Sequence, residues 1–284
     1  MTFEEIRRLT IVALFSDDEL LDQLVLKGGN ALSLIHGISK RASLDLDFSL
    51  ETDFEDLDRS RTRIFRALRD RFDSHGYAVF DERLQPKPRL EGPDVRPWWG
   101  GYELCFKIIE KSKFQRLSPE KRSLDVETTG PGQRRVFTVD LSKNEYTIGK
   151  RSFELENYTI YVYSLEMVVV EKLRAICQQM REYEFGLGRA RARDFYDIHL
   201  VLTSTNIDIA SAENLELLRQ VFAVKQVPLD LLRLVGDYRE FHRPDWPAVV
   251  NSVAADLEEY DVYFDLVIGQ VNRLQALWVE EPPV

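Results

Sequence analysis

The sequence predicts an α+β protein, in which a mixed, largely antiparallel sheet is followed by a helical region. Strand-like runs recur between residues 77 and 163, and the short loops between them favour antiparallel pairing. From Ser164 onward, apolar residues recur at helical spacing almost throughout. Ahead of both, a short apolar strand and a glycine turn lead into an alternating strand at residues 44–50. We therefore predict two domains, residues 1–163 and 164–284.

The N-terminal elements follow from capping and glycine signals. The spacing Thr2-x-x-Glu5 is that of a capping box and predicts a helix over Phe3–Phe15. The apolar run Leu24–Leu26 predicts a buried strand, and Gly28-Gly29 can take backbone angles that are closed to other residues. A second helix is predicted over Asn30–Ile35. The backbone N–H groups of such a turn can approach an anion such as phosphate.

Alternation over Leu44–Leu50 places two carboxylates on one face of the next strand. Asp45 and Asp47 lie on that face, and the apolar residues between them fill the other. Neighbouring carboxylates repel each other, so this arrangement favours a bound divalent cation, and oxygen ligands favour Mg²⁺ or Mn²⁺. An Asp-x-Asp pair alone is commonly a solvated strand face. Joined to the glycine turn, it indicates nucleotide chemistry.

The middle of the chain supplies the other strands. They are predicted at Tyr77–Phe80, Tyr102–Ile109, Leu124–Glu127, Arg135–Ser142 and Tyr158–Tyr163, with a loop at Gln85–Arg89. A helix before them carries six arginines between Arg59 and Arg71, and a second basic cluster lies between Lys107 and Arg122. Charge runs are usually solvated faces, and phosphate contact is the alternative.

Two helical segments in the C-terminal part carry further candidate residues. Ser164 can cap the first helix, in which Lys172 lies among apolar residues. A lysine in such a place usually extends its charge to water. In the second helix, Arg193, Asp194 and Asp197 share one face and could simply form surface ion pairs.

Length and composition agree with a two-part soluble protein. The chain has 284 residues, 44% of them hydrophobic, which is enough for two domains of ordinary size. No run approaches the ~20 apolar residues that span a bilayer, and the N-terminus has no signal-peptide pattern. Two cysteines and four histidines without metal spacing predict neither a disulfide nor a zinc site. We expect a cytoplasmic protein without membrane contact, whose net charge of -10 argues against indiscriminate nucleic-acid binding.

These motifs together resemble a known family. Glycine turn, short helix and Asp-x-Asp strand is the order of the polymerase-beta-like nucleotidyltransferases. Within them, Lys27-Gly-Gly with Arg41-x-Ser-x-Asp-x-Asp-Phe48 resembles the AbiEii family, the toxins of type IV toxin–antitoxin and abortive-infection pairs. Glu171-Lys172-Leu-Arg-Ala and Arg193-Asp-x-x-Asp197 match the family's later motifs. The resemblance implies a polymerase-beta-like nucleotidyltransferase domain followed by a helical domain that completes the active site.

The resemblance also implies roles for individual residues. Asp45, Asp47 and a third carboxylate would bind Mg²⁺ or Mn²⁺, and Asp140 is our choice for the third because it alternates with apolar residues in a late strand; Asp125 is the alternative. Arg193, Asp194 and Asp197 would support the catalytic Lys172. The residues expected to bind the nucleotide are Lys27, Gly28, Gly29, Asn30, Arg41, Ser43 and Lys172.

Some of these assignments have open alternatives. Lys27 and Arg41 could instead pair with surface acids. AbiEii-like proteins commonly have Ser or Thr after Gly-Gly, and this chain has Asn30, whose amide can cap a helix and bind phosphate.

The activity implied is transfer of a nucleotide from an NTP to an acceptor, with release of pyrophosphate. We expect an RNA such as tRNA as the acceptor. Transfer to a protein by the same site, or a nucleotide-binding protein without enzymatic activity, are the alternatives. The resemblance further implies a role in phage defence and an antitoxin encoded by a neighbouring gene.

Overall fold

The structure is a computed structural model that describes residues 1–39, 45–89, 96, 98–129, 134–186, 188–253 and 255–278. Its contacts divide the chain into two compact units. The first comprises Met1–Gly28 and Leu44–Val162, and the second comprises Gly29–Ser43 and Tyr163–Val284. Within the described ranges, no helix is both long and apolar enough to span a membrane.

A mixed sheet forms the first unit, with seven strands in the part of the chain that the structure describes. They are β1 Leu24–Lys27, β2 Leu46–Leu50, β3 Tyr77–Lys87, β4 Gly101–Glu110, β5 Phe137–Ser142, β6 Arg151–Leu155 and β7 Tyr158–Val162. The order across the sheet is β3-β4-β5-β2-β1-β7-β6. The pairs β1–β7 and β2–β5 are parallel, and the other four pairs are antiparallel. This confirms the predicted mixed, largely antiparallel sheet.

The first unit also contains helices, the two longest of which pack against the sheet. They are α1 Phe3–Phe15, α2 Asp18–Gln23, α4 Leu57–Asp73, α5 Lys111–Arg116 and α6 Pro119–Arg122. The predicted capping box of α1 is present, with Thr2 accepting from the Glu5 N–H. α1 packs against α4 and β7, and α4 packs against β3. The rings of Phe72, Phe106 and Phe137 contact one another in sequence beneath these helices. These buried aromatic side chains contribute to the apolar core of the unit.

Three strand predictions differ from the structure. Leu124–Glu127 is not a strand, and Leu124 is 71% exposed. The Glu127 N–H donates a hydrogen bond to the Ile108 carbonyl of β4, but the segment does not pair with that strand as a ladder. β3 continues through Pro86 into the predicted loop, which is possible because β3 is an edge strand and a missing N–H there breaks no ladder. β6 was not predicted because its alternation is short, with only Phe153 and Leu155 as apolar residues, and its polar residues are exposed.

The glycine motif forms a helix that starts earlier than predicted. α3, Gly28–Asn30, continues directly as a π-helix over Ala31–Ile35. Asn30 therefore lies inside the helical segment, fully buried, and its side chain makes no capping hydrogen bond.

The other regular elements described in the second unit are helices, as predicted. They are α7 Leu165–Cys177, α8 Ala192–Ser204, α9 Ala212–Ala223, α10 Arg239–His242, α11 Trp246–Val250 and α12 Tyr260–Val271, with 3₁₀ segments Leu229–Tyr238, Arg243–Asp245 and Asn272–Leu277. Ser164 caps α7 by accepting from the Met167 N–H. α8 is central, since it packs against α7 and α12, and the ring of Phe195 stacks on that of Phe264 at 4.9 Å.

Candidate active site

The glycine turn lies directly against one of the predicted carboxylates. Gly28 directly follows β1 and has a φ of +71°, a left-handed conformation that side-chain-bearing residues rarely adopt. A Cβ atom at Gly28 would lie 2.6 Å from Asp47 Oδ2. Glycine is therefore required at this position for two reasons, the left-handed backbone angle and the close approach to Asp47.

Asp47 and Asp140 stand side by side. β2 and β5 are parallel, and in their register the Cα of Asp47 is paired with that of Asp140. Register partners project to the same face of a sheet, so the two half-buried carboxylates are neighbours. Asp45 lies one residue before β2 and is exposed. Asp125, the alternative third carboxylate, lies outside the sheet in a turn and pairs with Lys113 at 3.4 Å.

The same row of the sheet contains two further charged residues. On β4, Glu103 is the register partner of Asp140, and on β1, Lys27 is that of Asp47. Three carboxylates thus lie in adjacent positions across three strands. Lys27 is buried, and its Nζ lies 3.4 Å from a carboxylate oxygen of Glu145, which is also buried. Lys27 therefore pairs with an interior acid and not with a surface acid.

Two cations contact the predicted metal ligands. Lys87 Nζ donates to both carboxylate oxygens of Asp140, at 2.7 and 2.9 Å, and lies 3.4 Å from Glu103 Oε2. Desolvation lowers the pKa of Lys87, but its hydrogen bonds and charge pairing with the two carboxylates outweigh this and hold the pKa above its ordinary value. Arg134 Nη1 lies 3.4 Å from Asp45 Oδ1.

A pocket of about 480 Å³ opens beside these groups. Its lining consists of Asp45, Lys87, Glu103, Arg134, Arg135, Val136, Thr138 and Asp140. Charged side chains of both signs dominate the lining, which is unlike the apolar lining of most small-molecule pockets. The arrangement suits an ionic ligand.

The donor chemistry of this row fits Mg²⁺ or Mn²⁺. Carboxylate oxygens are the ligands that both ions prefer, and the register brings those of Asp47 and Asp140 to neighbouring positions. Among the residues described, however, no three acidic, histidine or cysteine side chains converge closely enough to form a ready metal cluster. Asp140 and Asp45 instead hold Lys87 and Arg134, and an ion bound there would have to exchange with these partners.

Lys172 belongs to the second unit and is buried there. Its Nζ lies 2.9 Å from Asp194 Oδ1 and 2.7 Å from Asp197 Oδ2, and both aspartates are buried as well. Arg191 also pairs with Asp194. Burial raises the pKa of Asp194, but the charges of Arg191 and Lys172 outweigh it and hold the pKa far below its ordinary value. Lys172 thus neither reaches water nor forms surface pairs; it is the centre of a buried charge cluster.

The other predicted residues have more varied positions. Gly29 and Asn30 are buried in the second unit, and Arg193 is exposed on α8. Arg41 and Ser43 lie outside the described residues. Sequence reasoning missed Lys87, Glu103, Arg134 and Arg191. Of these, Glu103 alone had a signal, since it alternates with Tyr102, Leu104 and Phe106 in β4.

All six arginines of α4 contact acids. The ion pairs are Arg59–Glu19, Arg61–Asp58, Arg63–Asp17, Arg63–Glu19, Arg66–Asp17, Arg69–Glu82 and Arg71–Glu156. In the second basic cluster, Lys107 pairs with Asp81 and Lys111 with Asp73. These partners reduce the net positive charge of both surfaces.

Comparison with known proteins identifies the family. The sequence profile of the nucleotidyl transferase AbiEii toxins of type IV toxin–antitoxin systems matches residues 10–266. The chain belongs to the AbiEii family. This confirms the resemblance drawn from the motifs, and with it a toxin nucleotidyltransferase as the class of protein. No curated protein matches the AbiEii chain in sequence.

Solved structures similar to this AbiEii protein also have nucleotidyltransferase names. A protein from H. pylori named as a nucleotidyltransferase is 19% identical, with 98% of this chain and 97% of that chain covered and a TM-score of 0.45. MenT4, a nucleotidyltransferase toxin from Mycobacterium tuberculosis, is 18% identical, with 96% and 82% covered and a TM-score of 0.46. An antigenic nucleotidyltransferase-like protein from Paracoccidioides brasiliensis is 12% identical, with 88% and 94% covered and a TM-score of 0.41.

Proposed function

We propose that this AbiEii toxin is a metal-dependent enzyme that transfers a nucleotide from an NTP to an RNA acceptor, with release of pyrophosphate. The observation that carries the proposal is the register of the parallel pair β2–β5, which sets Asp47 beside Asp140, while Gly28 lies against Asp47. Two adjacent carboxylates next to a glycine turn are what metal-assisted phosphoryl transfer needs.

Asp45, Asp47 and Asp140 would hold Mg²⁺ or Mn²⁺. When bound, the ion neutralises charge on the triphosphate and lowers the pKa of the attacking hydroxyl. The chain's own groups then bind and orient. The backbone at Gly28 and Gly29 would bind phosphate oxygens. Lys172, the motif lysine of the second unit, is held by Asp194 and Asp197, and a role for it in nucleotide binding would require its ammonium to exchange one of these partners.

An RNA acceptor is supported by the pocket that contains Asp45 and Asp140. Its lining includes Arg134, Arg135 and Lys87, which could contact the phosphates of an acceptor strand. RNA such as tRNA therefore remains our proposed acceptor. The family supports an antitoxin partner. We further propose that a neighbouring gene encodes it and that the pair acts in phage defence through abortive infection.

The test is nucleotide transfer by purified protein. We would incubate it with α-labelled NTPs, Mg²⁺ or Mn²⁺, and total cellular RNA or protein, with EDTA as the metal-free control. Label in RNA that depends on metal supports the proposal, whereas label in protein alone would assign the alternative acceptor. Binding of NTP without any transfer would leave only a nucleotide-binding protein.

Two carboxylate variants test the site itself. Asp47→Asn and Asp140→Asn should abolish transfer, because an amide cannot replace the charge that holds the metal. Asp125→Asn is the matched control, since that residue is exposed and lies outside the carboxylate row. An inactive Asp125→Asn beside an active Asp140→Asn would make Asp125 the third carboxylate.

A further inference from the structure

Lys87 makes an ion pair that no sequence motif indicated. It lies near the end of the edge strand β3, and Asp140 lies on β5, with β4 between them. Strands are about 4.8 Å apart, so the side chain must cross about 10 Å to reach Asp140. The β4 register partner of Lys87 is Gly101, which contributes no side chain to block the path. Lys87 Nζ ends 2.7 and 2.9 Å from the two oxygens of Asp140.

The charges in this row explain why a cation is held there. Glu103, Asp140 and Asp47 are successive register partners, and such neighbours repel one another. Lys87 contacts the first two, at 3.4 Å from Glu103 and at hydrogen-bond distance from Asp140. Since both Asp140 oxygens accept from Lys87, that carboxylate cannot offer the same lone pairs to a metal ion without losing these bonds.

Exposure makes the ion pair exchangeable. The side chain of Lys87 is 50% exposed and that of Asp140 is 31% exposed. Ion pairs at this level of exposure are weak, because water and salt screen them. A divalent cation, with twice the charge of an ammonium group, can therefore displace Lys87.

Resting on the carboxylate site of the proposed function, we propose that Lys87 is a positioning residue that competes with the divalent cation for Asp140. In the metal-free protein it holds Asp140 and Glu103 together. When the ion binds, Lys87 leaves Asp140 and remains at the pocket. Lys87 thereby raises the metal concentration at which the site fills.

The experiment measures Mn²⁺ binding to the purified full chain by calorimetry, without nucleotide or acceptor. Lys87→Gln should bind Mn²⁺ about three- to fivefold more tightly than wild type, because the competing charge is gone. Lys87→Arg should bind close to wild type, since it keeps a cation. Lys107→Gln is the matched control. This variant removes the same charge from the same sheet. Because Lys107 pairs with Asp81 and not with the carboxylate row, the Mn²⁺ affinity of Lys107→Gln should equal that of wild type.

A double variant distinguishes competition for Asp140 from a purely structural role of Lys87. In an Asp140→Asn background, Lys87→Gln should no longer change Mn²⁺ affinity, because the carboxylate for which they compete is gone. Unchanged or weaker binding by Lys87→Gln, or an equal gain in Lys107→Gln, would overturn the inference. If Asp47→Asn and Asp140→Asn bind Mn²⁺ like wild type, the carboxylate site of the proposed function fails instead.

Discussion

At the scale of single residues, the two units contain different arrangements. In the first unit, Gly28 has no side chain and therefore leaves room for the carboxylate of Asp47. In the second unit, Lys172 contacts Asp194 and Asp197 in a buried charge cluster. Burying charges is costly unless they are paired, so each member of that cluster depends on the others.

Gly28→Ala should impair both stability and transfer. Its φ of +71° would cost a side-chain-bearing residue about 1 to 3 kcal/mol, and its Cβ would clash with Asp47 Oδ2. Gly76→Ala is the matched control, because Gly76 has a similar φ of +82° but nothing within 4 Å of its Cβ position. Both variants should melt earlier, and only Gly28→Ala should lose transfer and Mn²⁺ binding. Equal transfer in the two would show that the glycine serves the backbone alone.

Lys172→Met should strongly destabilise the protein. Removing the lysine leaves Asp194 and Asp197 buried without their shared cation, a change that typically costs about 3 to 5 kcal/mol. Lys111→Met, which breaks an exposed pair with Asp73, should cost only about 0 to 1 kcal/mol. Urea unfolding compares them, and adding Asp194→Asn and Asp197→Asn to Lys172→Met should restore part of the stability.

The same lysine variant tests catalysis if the assay is run where the protein is still folded. Transfer should fall at least about tenfold, or about 1.4 kcal/mol. Lys172→Arg should be an imperfect substitute, because its planar fork distributes charge differently. Wild-type turnover and wild-type stability in Lys172→Met would remove both proposed roles.

At the scale of elements, the two faces of the sheet have different roles. The face of β2 and β5 that packs beneath the helices is apolar, and the opposite face contains the carboxylate row. The arginines of α4 are the part of its sequence that suggests an RNA-binding face. In the structure they pair with acids at the start of α2, on β3 and in the β6–β7 turn, and these pairs offset part of their charge.

Two arginine pairs should therefore affect RNA binding differently. Arg134→Gln with Arg135→Gln alters the pocket, and Arg59→Gln with Arg66→Gln alters α4 by the same two charges. For single-stranded RNA, each phosphate that a cation neutralises adds about 0.7 to the slope of log affinity against log salt. We expect the pocket variant to flatten that slope by about 1.4 and the α4 variant to leave it close to wild type. The reverse result would make α4 the acceptor surface.

At the scale of the whole molecule, acid should weaken the fold through a buried histidine. His242 is fully buried, accepts a hydrogen bond on Nδ1 from the Arg191 N–H, and burial lowers its pKa to about 4. An unfolded histidine titrates near 6.5. Between these values the unfolded chain binds the proton and the folded protein does not, so stability falls as pH decreases from about 6.5 to about 4.

The size of this effect is bounded by the pKa difference. Each pKa unit corresponds to about 1.4 kcal/mol, so His242 accounts for a loss of at most about 3.5 kcal/mol across the window. Urea unfolding at several pH values should show a shallower decline for His242→Gln, which keeps a hydrogen-bond acceptor but does not titrate. His75→Gln, at an exposed position, should follow wild type. A wild-type slope in His242→Gln would assign the loss to other groups.

The sequence by itself determined the local patterns. α1 with its capping box, the strands around Asp47 and Asp140, the helical second half and the family were all readable from short-range spacing. Such patterns can be recognised because side-chain direction repeats every two residues in a strand and every 3.6 residues in a helix, independently of the neighbouring elements. The choice of Asp140 over Asp125 was left open at that level.

The tertiary structure alone decided which residues meet. That Asp47 faces Asp140, and Asp140 faces Glu103, depends on the register between strands far apart in the chain. Lys87 lay in a segment predicted as a loop, so its reach to Asp140 had no local signal. The arginines of α4 and the burial of Lys172 likewise depend on partners from other elements. Periodicity assigns a side chain to a face, but only the packing of distant segments determines its charge partner there.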